Sequence, residues 1–430
     1  MKRLRSEFQV VFLATLVTSF VAMYAASEYF NVARFSQLFS FQAWDGPGPM
    51  PTEAYPNPVG VHFFGDFLLT FRTAAHESPY FAAGYFKFAY LPFSAVVISP
   101  LFFLPIWFAF LVFLVLGIGA ISYGLWIGLS NIDPPERLVL MLTMCLSGPF
   151  LSMLDRGNFS LWLSAFCVIA AGLLTRQRSG VAPFFFGLAA AMKLYPILFM
   201  LIFVRRRDYR GLAVGVATFA TTTALPLFFY SGGFMRNFSE LISQFLSSAD
   251  TSHAMRIRAY NNSFYSLLGT IRLWNVPFVN EIAAFVQQQY FGLLIAISIL
   301  ILFVTLRRNS AEWQTALAVC SFICAAPQVS AAYVYLLFLV PLGMMLNQDG
   351  VRDKVDHKHM RIALWLIAIL LVPKGIPLWL PSSEWTPAAG TYAGLVNPSI
   401  CLFLILQAAW ASLFTRRVPS RNQHDISIKE

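Results

Sequence analysis

The stretch GVHFFGDFLLTFRTA (60–74) sets one acid, Asp66, in an otherwise apolar neighbourhood. Taken as a helix over 62–76, it puts His62, Asp66, Thr70 and Thr73 on one narrow polar stripe of a Phe- and Leu-rich cylinder, the form of a helix lying along a membrane surface. A carboxylate among Phe63, Phe64 and Phe67 is expected to hold its proton more tightly than usual, toward the range useful for a general base, with His62 one turn earlier to tune it. Behind it Pro79, Gly84, Pro92, Pro100 and Pro105 fall too close together for an ordinary span. They predict short broken helices that enclose a cavity.

Four other places carry residues with chemical potential. In GLAAAMKLYPILFMLIFV (187–204), Lys193 is a lone cation three positions before Pro196. An intramembrane cation is costly and calls for a partner, for which a phosphate at the outer membrane face is suited; the other reading is a lysine that snorkels to the interface. LSMLDRGNFSLW (151–162) sets Asp155, Arg156 and Asn158 on a tight turn, which could equally be a charged turn that stops two helices. AYNNSFYSLLGTIR (259–272) offers Asn261, Asn262 and Ser263 before a helix-like run, near Arg256, Arg258 and Arg272. Asn-Asn-Ser suits a helix cap, sugar hydroxyls or phosphate, and also fits the glycosylation sequon. CAAPQVSAAYVYLLFLVP (324–341) puts Gln328, Ser330 and Tyr333 at a helix break.

The elements that must hold these groups are membrane helices. Of 430 residues 58% are hydrophobic and 12% charged, which excludes a soluble enzyme and a disordered chain. Apolar runs predict an all-α polytopic protein of about twelve crossings: 8–29, 106–129, 138–153, 159–174, 181–193, 195–204, 211–230, 283–306, 312–329, 331–346, 362–380 and 392–414, with 181–204 a broken hairpin. The first run is long enough to be a retained span rather than a cleaved signal. This threading puts both termini, the tail 415–430 and the loops 130–137, 175–180, 205–210, 307–311 and 347–361 on one side, where most of the 30 Lys and Arg residues fall. That side is therefore expected to be cytoplasmic, and the net charge of +10 reflects topology rather than nucleic-acid binding. Residues 30–105 and 231–282 become folded outer caps on a single domain spanning 1–414. The five cysteines sit in apolar runs and read as core thiols. His357 and His359 are expected in a solvated loop. No Gly-rich phosphate loop, HExxH, GxSxG or paired Cys/His metal set is present, so no cofactor or metal is expected.

The order of these pieces resembles glycosyltransferase family 87, membrane enzymes of the GT-C fold that use polyprenyl-phosphate sugars, chiefly polyprenyl-phosphate-mannose. The matching segments are GDFLLTFRTA, SPY…YFKFAYLPF…PLFFLP, DRGNFSLWLSAF, GLAAAMKLYPILFMLIFVRRR, NNSFYSLL and APQVSAAYVYLLFLVP, over roughly residues 60–345. The resemblance implies a GT-C-type helical bundle with extracytoplasmic juxtamembrane helices. It implies Asp66 as catalytic base and Lys193 beside the lipid phosphate; one or more of Arg256, Arg258 and Arg272 are expected to share that phosphate. His62, Lys87, Tyr90, Asp155, Arg156, Asn158, Asn261, Asn262, Ser263, Gln328 and Tyr333 would meet the sugar or acceptor. The partners would be a polyprenyl-phosphate sugar, a lipid or glycan acceptor and membrane lipids, at a plasma-membrane site facing outward. Where the family's turn usually reads Gly-Gln-x-Asn, this chain has Arg156-Gly157-Asn158, and the His that commonly follows the APxxS break is replaced by Ala331, Ala332 and Tyr333. Two other classes fit the multispan pattern. A lipid-linked-sugar flippase or transporter would show inverted repeats and mid-membrane acids, neither evident here, and a polysaccharide polymerase or ligase would rely on outer-loop arginines.

Overall fold

The computed structural model describes residues 1–30, 65–75, 78–81, 90–176, 180–251, 261–272, 277–307, 310–347, 354–374 and 392–414. All regular structure among them is helical. In chain order the α-helices are α1 (Lys2–Phe30), α2 (Gly65–Ala74), α3 (Pro92–Ile98), α4 (Ile106–Gly128), α5 (Pro134–Cys145), α6 (Gly148–Arg156), α7 (Ser160–Thr175), α8 (Ala182–Met192) and α9 (Leu201–Arg206). They continue as α10 (Tyr209–Phe229), α11 (Gly233–Thr251), α12 (Phe264–Arg272), α13 (Pro277–Gln288), α14 (Tyr290–Leu306), α15 (Glu312–Ala325), α16 (Leu339–Leu346), α17 (Lys354–Leu370) and α18 (Tyr392–Phe414). Short 3₁₀ segments lead into α9 and α16.

Four described helices are long and apolar enough to cross a membrane, or six if two bent pairs each count as one span. The run expected at 138–153 is broken: α5 and α6 meet at 62°. The run expected at 283–306 is broken at Gln289, where α13 and α14 meet at 75°. The segment 331–346 is half 3₁₀ and half α, and α17 starts at Lys354, so His357 and His359 lie on its first turns rather than in a loop. Prolines and glycines account for much of this, since Pro134, Gly148–Pro149 and Pro277 each open a new helix.

The helix pair that frames the site is α4 against α7. A Cβ on Gly124 would stand 2.8 Å from the Ile169 nitrogen, and one on Gly172 would stand 2.8 Å from the Gly124 oxygen, so only small residues let these backbones approach so closely. The opposite side of α4 presents Trp107, Phe108, Leu111 and Val115 outward, as a lipid-facing helix does. All five cysteines are free, four of them buried and Cys145 half-buried.

At one end of the bundle the basic loops hold one another. Arg5 pairs with Glu136 at 3.1 Å, Asn131 donates through its Nδ2 to the Asn347 carbonyl at 3.2 Å, and Arg206 grips Glu312 through two bonds of 2.8 and 2.5 Å. Arg205 donates to Ser310, and Arg361 pairs with Glu7 at 2.6 Å. The N-terminal helix, the turns around Asn131, Arg205–Arg206 and Ser310, and the residues Asn347 and Arg361 are thus tied into one layer.

Candidate active site

Asp66 stands in the first turn of α2, which is anchored by Phe67: that fully buried ring packs 5.1 Å from Phe110, 5.2 Å from Phe113 and 5.5 Å from Phe71. With the helix pinned by its neighbour, the carboxylate reaches the turn between α6 and α7. Arg156 donates from Nε to Oδ2 at 2.8 Å and from Nη2 to Oδ1 at 3.0 Å, and Asn158 donates from Nδ2 to Oδ2 at 2.6 Å. The fork geometry is the strongest way a side chain can hold a carboxylate.

Local sequence explains why these two donors converge. Gly157 adopts φ +60°, and α6 closes with Asn158 N–H bonded to the Met153 carbonyl and Gly157 N–H to that of Leu154, a Schellman ending. A Cβ on Gly157 would lie 2.8 Å from the Cβ of Phe67 and 2.9 Å from the Phe110 ring, so glycine is needed both for the backbone and for the seat of α2. Asn158 then opens α7: its Oδ1 accepts the Ser160 N–H at 2.8 Å, which fixes the amide and turns its NH₂ toward Asp66. Arg156 and Asn158 face the acid because one ends a helix and the other starts the next.

Lys193 arrives from the other side. Pro196 cannot donate to the carbonyl of Met192, four residues earlier, and its ring would collide with it, so α8 stops at Met192 and Lys193 is extended (φ −143°, ψ 139°). The Met192 carbonyl is taken up by Leu91 N–H at 3.1 Å and by the Ser94 hydroxyl at 3.3 Å, which docks residues 90–94 against the break. Tyr90 is thereby placed beneath the ammonium: Lys193 Nζ lies 4.8 Å from the Tyr90 ring centre and 5.4 Å from that of Tyr333, and donates to Ser160 Oγ at 3.3 Å. Neighbouring segments brace this corner, with Tyr80 donating to the Tyr90 carbonyl at 3.1 Å, Tyr230 to the Pro92 carbonyl at 3.0 Å and Ser78 to Asn237 at 2.7 Å.

Burial pushes the Asp66 carboxyl up, but the charge and hydrogen bonds of Arg156, the Asn158 amide and the charge of Lys193 outweigh it, and the group sits below the ordinary 3.8. This reverses the expectation from its Phe neighbours. The described part of the helix around it runs Gly65–Ala74, and residues 62–64 of the expected stripe lie outside the described residues.

The structure therefore brings Asp66, Arg156, Asn158, Lys193, Tyr90 and Tyr333 together. Arg272 lies apart, exposed at the end of α12 and donating to Gln287 at 2.9 Å. Asn261 and Ser263 are buried and turned to the chain itself: Asn261 Nδ2 and Ser263 Oγ donate to the Gln328 carbonyl at 2.7 and 2.9 Å, and Asn261 Oδ1 accepts the Ser330 N–H at 2.9 Å. Asn262 is fully buried, its backbone bonded to Ser330 and Tyr335. These residues set the turn at 328–330 that leads to Tyr333, and Ser263 caps α12 by accepting the Ser266 N–H at 3.1 Å. His62, Lys87, Arg256, Arg258 and the side chain of Asp155 lie outside the described residues. Sequence reasoning missed Ser160, whose place was signalled by the Asn-x-Ser spacing of an Asx-type helix start. Among the described residues no three His, Cys, Asp or Glu side chains are grouped so as to hold a metal.

An all-helical frame with membrane-length apolar helices, and a carboxylate set among two cations and two tyrosines at one end of it, define a membrane protein whose site can activate a hydroxyl beside an anion. The pattern of glycosyltransferase family 87 matches residues 88–331, more than half of the chain, and the chain belongs to that family. The matched segment holds Tyr90, Arg156, Asn158, Lys193 and Asn261, whereas Asp66 precedes it and Tyr333 follows it. No curated protein matches the chain. The protein is thus a membrane glycosyltransferase.

Proposed function

We propose that the protein moves a sugar, mannose in this reading, from a polyprenyl-phosphate donor to a lipid or glycan acceptor at the extracytoplasmic face, with inversion at the anomeric carbon. The observation that carries the reading is the charge arrangement at the site: one carboxylate, Asp66, is shared by Arg156 and stands close to Lys193, whose described contacts are a hydroxyl and two tyrosine rings. Two cations beside one acid among the described residues would gain from an anionic ligand, and a phosphodiester supplies that anion together with a leaving group.

In the reaction, the acceptor oxygen attacks the anomeric carbon from the side opposite the phosphate as its proton passes to Asp66. The bond between the anomeric carbon and the phosphate oxygen breaks, its electron pair leaves with the polyprenyl phosphate, and Lys193 and Arg156 meet the added negative charge. A carboxylate held low by Arg156 is a weak base, and a weak base suffices here: the hydroxyl becomes acidic only as its oxygen bonds to the anomeric carbon, so proton transfer comes late. Arg156 replaces the distant Arg272 as the second cation in this scheme. Asn158 and Arg156 orient the base, and Tyr90 and Tyr333 wall the cation.

The test is to give purified protein a panel of labelled polyprenyl-phosphate sugars with membrane lipid extract, and to determine which label moves and the anomeric configuration of the product. Transfer of mannose with inversion is expected. A product that keeps the donor's configuration, or transfer from a nucleotide sugar alone, overturns the reading.

A further inference from the structure

The bend at Gln289 leaves an apolar helix face exposed among the described residues. Within α13, Phe278, Ile282 and Phe285 recur at i, i+4 and i+7 and form one stripe, with side chains 71%, 49% and 63% exposed. The polar residues are set to its sides: Glu281 and Gln288 are exposed on one flank, while the opposite face buries Ala283 and is tied to α12 by the bond from Arg272 to Gln287. The next helix has a different character. α14 is apolar on all sides, with Phe291, Ile295, Ile299 and Leu302 outward at 74%, 61%, 63% and 45%, as expected where lipid surrounds a span.

The two exposed faces join at Gln289, and the angle between the helices is 75°. With α14 along the bilayer normal, α13 lies within about 15° of the membrane plane. The end of α14 that carries α13 is the end of the Asp66 site, because Tyr290 donates to the Ala326 carbonyl at 2.6 Å, just before the 328–330 turn and Tyr333. An in-plane helix with one aromatic and aliphatic stripe, flanked by a carboxylate and amides, matches the boundary between phospholipid headgroups and acyl chains. We propose that α13 is a lipid-docking plate, seated in the leaflet on the Asp66 side with Phe278, Ile282 and Phe285 among the upper acyl-chain carbons.

The consequence for the site is mechanical. α13 packs on α12, and α12 is capped by Ser263, whose hydroxyl also holds the Gln328 carbonyl. The depth of α13 in the leaflet therefore fixes the height of the turn that carries Tyr333 to Lys193.

The test uses the full chain in phosphatidylcholine–phosphatidylglycerol vesicles, with Cys145 replaced by Ser, the other four cysteines being buried. Single Cys substitutions at Phe278, Ile282 and Phe285, and at Glu281 and Gln288, are labelled with a nitroxide, and spin relaxation by oxygen and by a water-soluble nickel chelate is compared. Labels at 278, 282 and 285 should be relaxed by oxygen and lose relaxation by nickel, while those at 281 and 288 respond to nickel. Equal nickel access at all five positions places the stripe in water and overturns the proposal. Dipolar broadening between stripe labels overturns it too, because a second copy of the chain then covers the face. Neither outcome touches the assignment of Asp66.

Discussion

The two ends of the bundle use arginine in opposite ways. At the end formed by the basic loops, four arginines are met by groups the chain supplies: Arg5 by Glu136, Arg206 by Glu312, Arg361 by Glu7, and Arg137 by the carbonyls of Trp126, Ser130 and Ile132. At the other end Asp66 is, among the described residues, the acid that faces both Arg156 and Lys193. Charge satisfied from within fastens loops together, whereas in the reading proposed above Arg156 and Lys193 face a ligand as well as Asp66. Pairs such as Arg206–Glu312 add about 0–1 kcal/mol each when part-exposed, so their value lies in register more than in stability.

Substitutions can break or sharpen that contrast. Asp66→Asn keeps the shape and removes the base, so transfer should fall roughly 10²–10⁴-fold with donor binding retained; near-normal transfer would return Asp66 to a purely structural role. Lys193→Ala should lower kcat/KM for the donor by about 10²-fold, through a higher KM and a lower kcat, because the charge it meets grows on the leaving phosphate. Unchanged kinetics in folded Lys193→Ala would make it a snorkelling lysine.

Arg156→Gln sharpens the comparison through pH. In the intact protein the lowered carboxyl stays ionised as pH falls through the ordinary 3.8, so kcat/KM should remain flat on the acid side while the fold persists. Without Arg156 the lowering charge is gone and the raising effect of burial remains, so the acid limb should move to higher pH. Stability follows the same sign. A depressed carboxyl stabilises the fold above its unfolded value and loses that contribution as pH falls through the folded one, and Arg156→Gln should flatten this acid-side loss in a Tm-against-pH series. The smallest effect is expected at the other end, where Arg206→Ala should lower Tm slightly and leave transfer per folded molecule unchanged.

Much of the site was legible one residue at a time. Asp66 and Lys193 are conspicuous because a charge in an apolar run is expensive, and Arg156 and Asn158 because Gly157 marks a turn. Their pairing was not legible, since Asp66 and Arg156 are 90 residues apart and no periodicity links them. The sign of the Asp66 shift was misread for the same reason: the sequence displays the Phe neighbours that raise it and hides the distant arginine that lowers it. The helical class and the lipid-facing character of α4 and α14 follow from composition. The bends at 146–147 and at Gln289 do not, because hydropathy averages across a break as readily as along a helix. The Asn261 cluster reads equally as a cap or as a contact for sugar or phosphate; Ser263 does cap α12, and the partner of Asn261 is 67 residues away in the 328–330 turn, which no local pattern shows.

Pro196 reaches further than the break it makes. The carbonyl it releases at Met192 is the acceptor for residues 91 and 94, and Ser94 is made 98 residues before that acceptor exists. In the order of synthesis the segment around Tyr90 therefore precedes the acceptor that docks it, a carbonyl left open only because α8 does not continue through Pro196. A chain halted before Pro196 would thus carry Asp66, Arg156 and Tyr90 without the break that docks Tyr90 against Lys193.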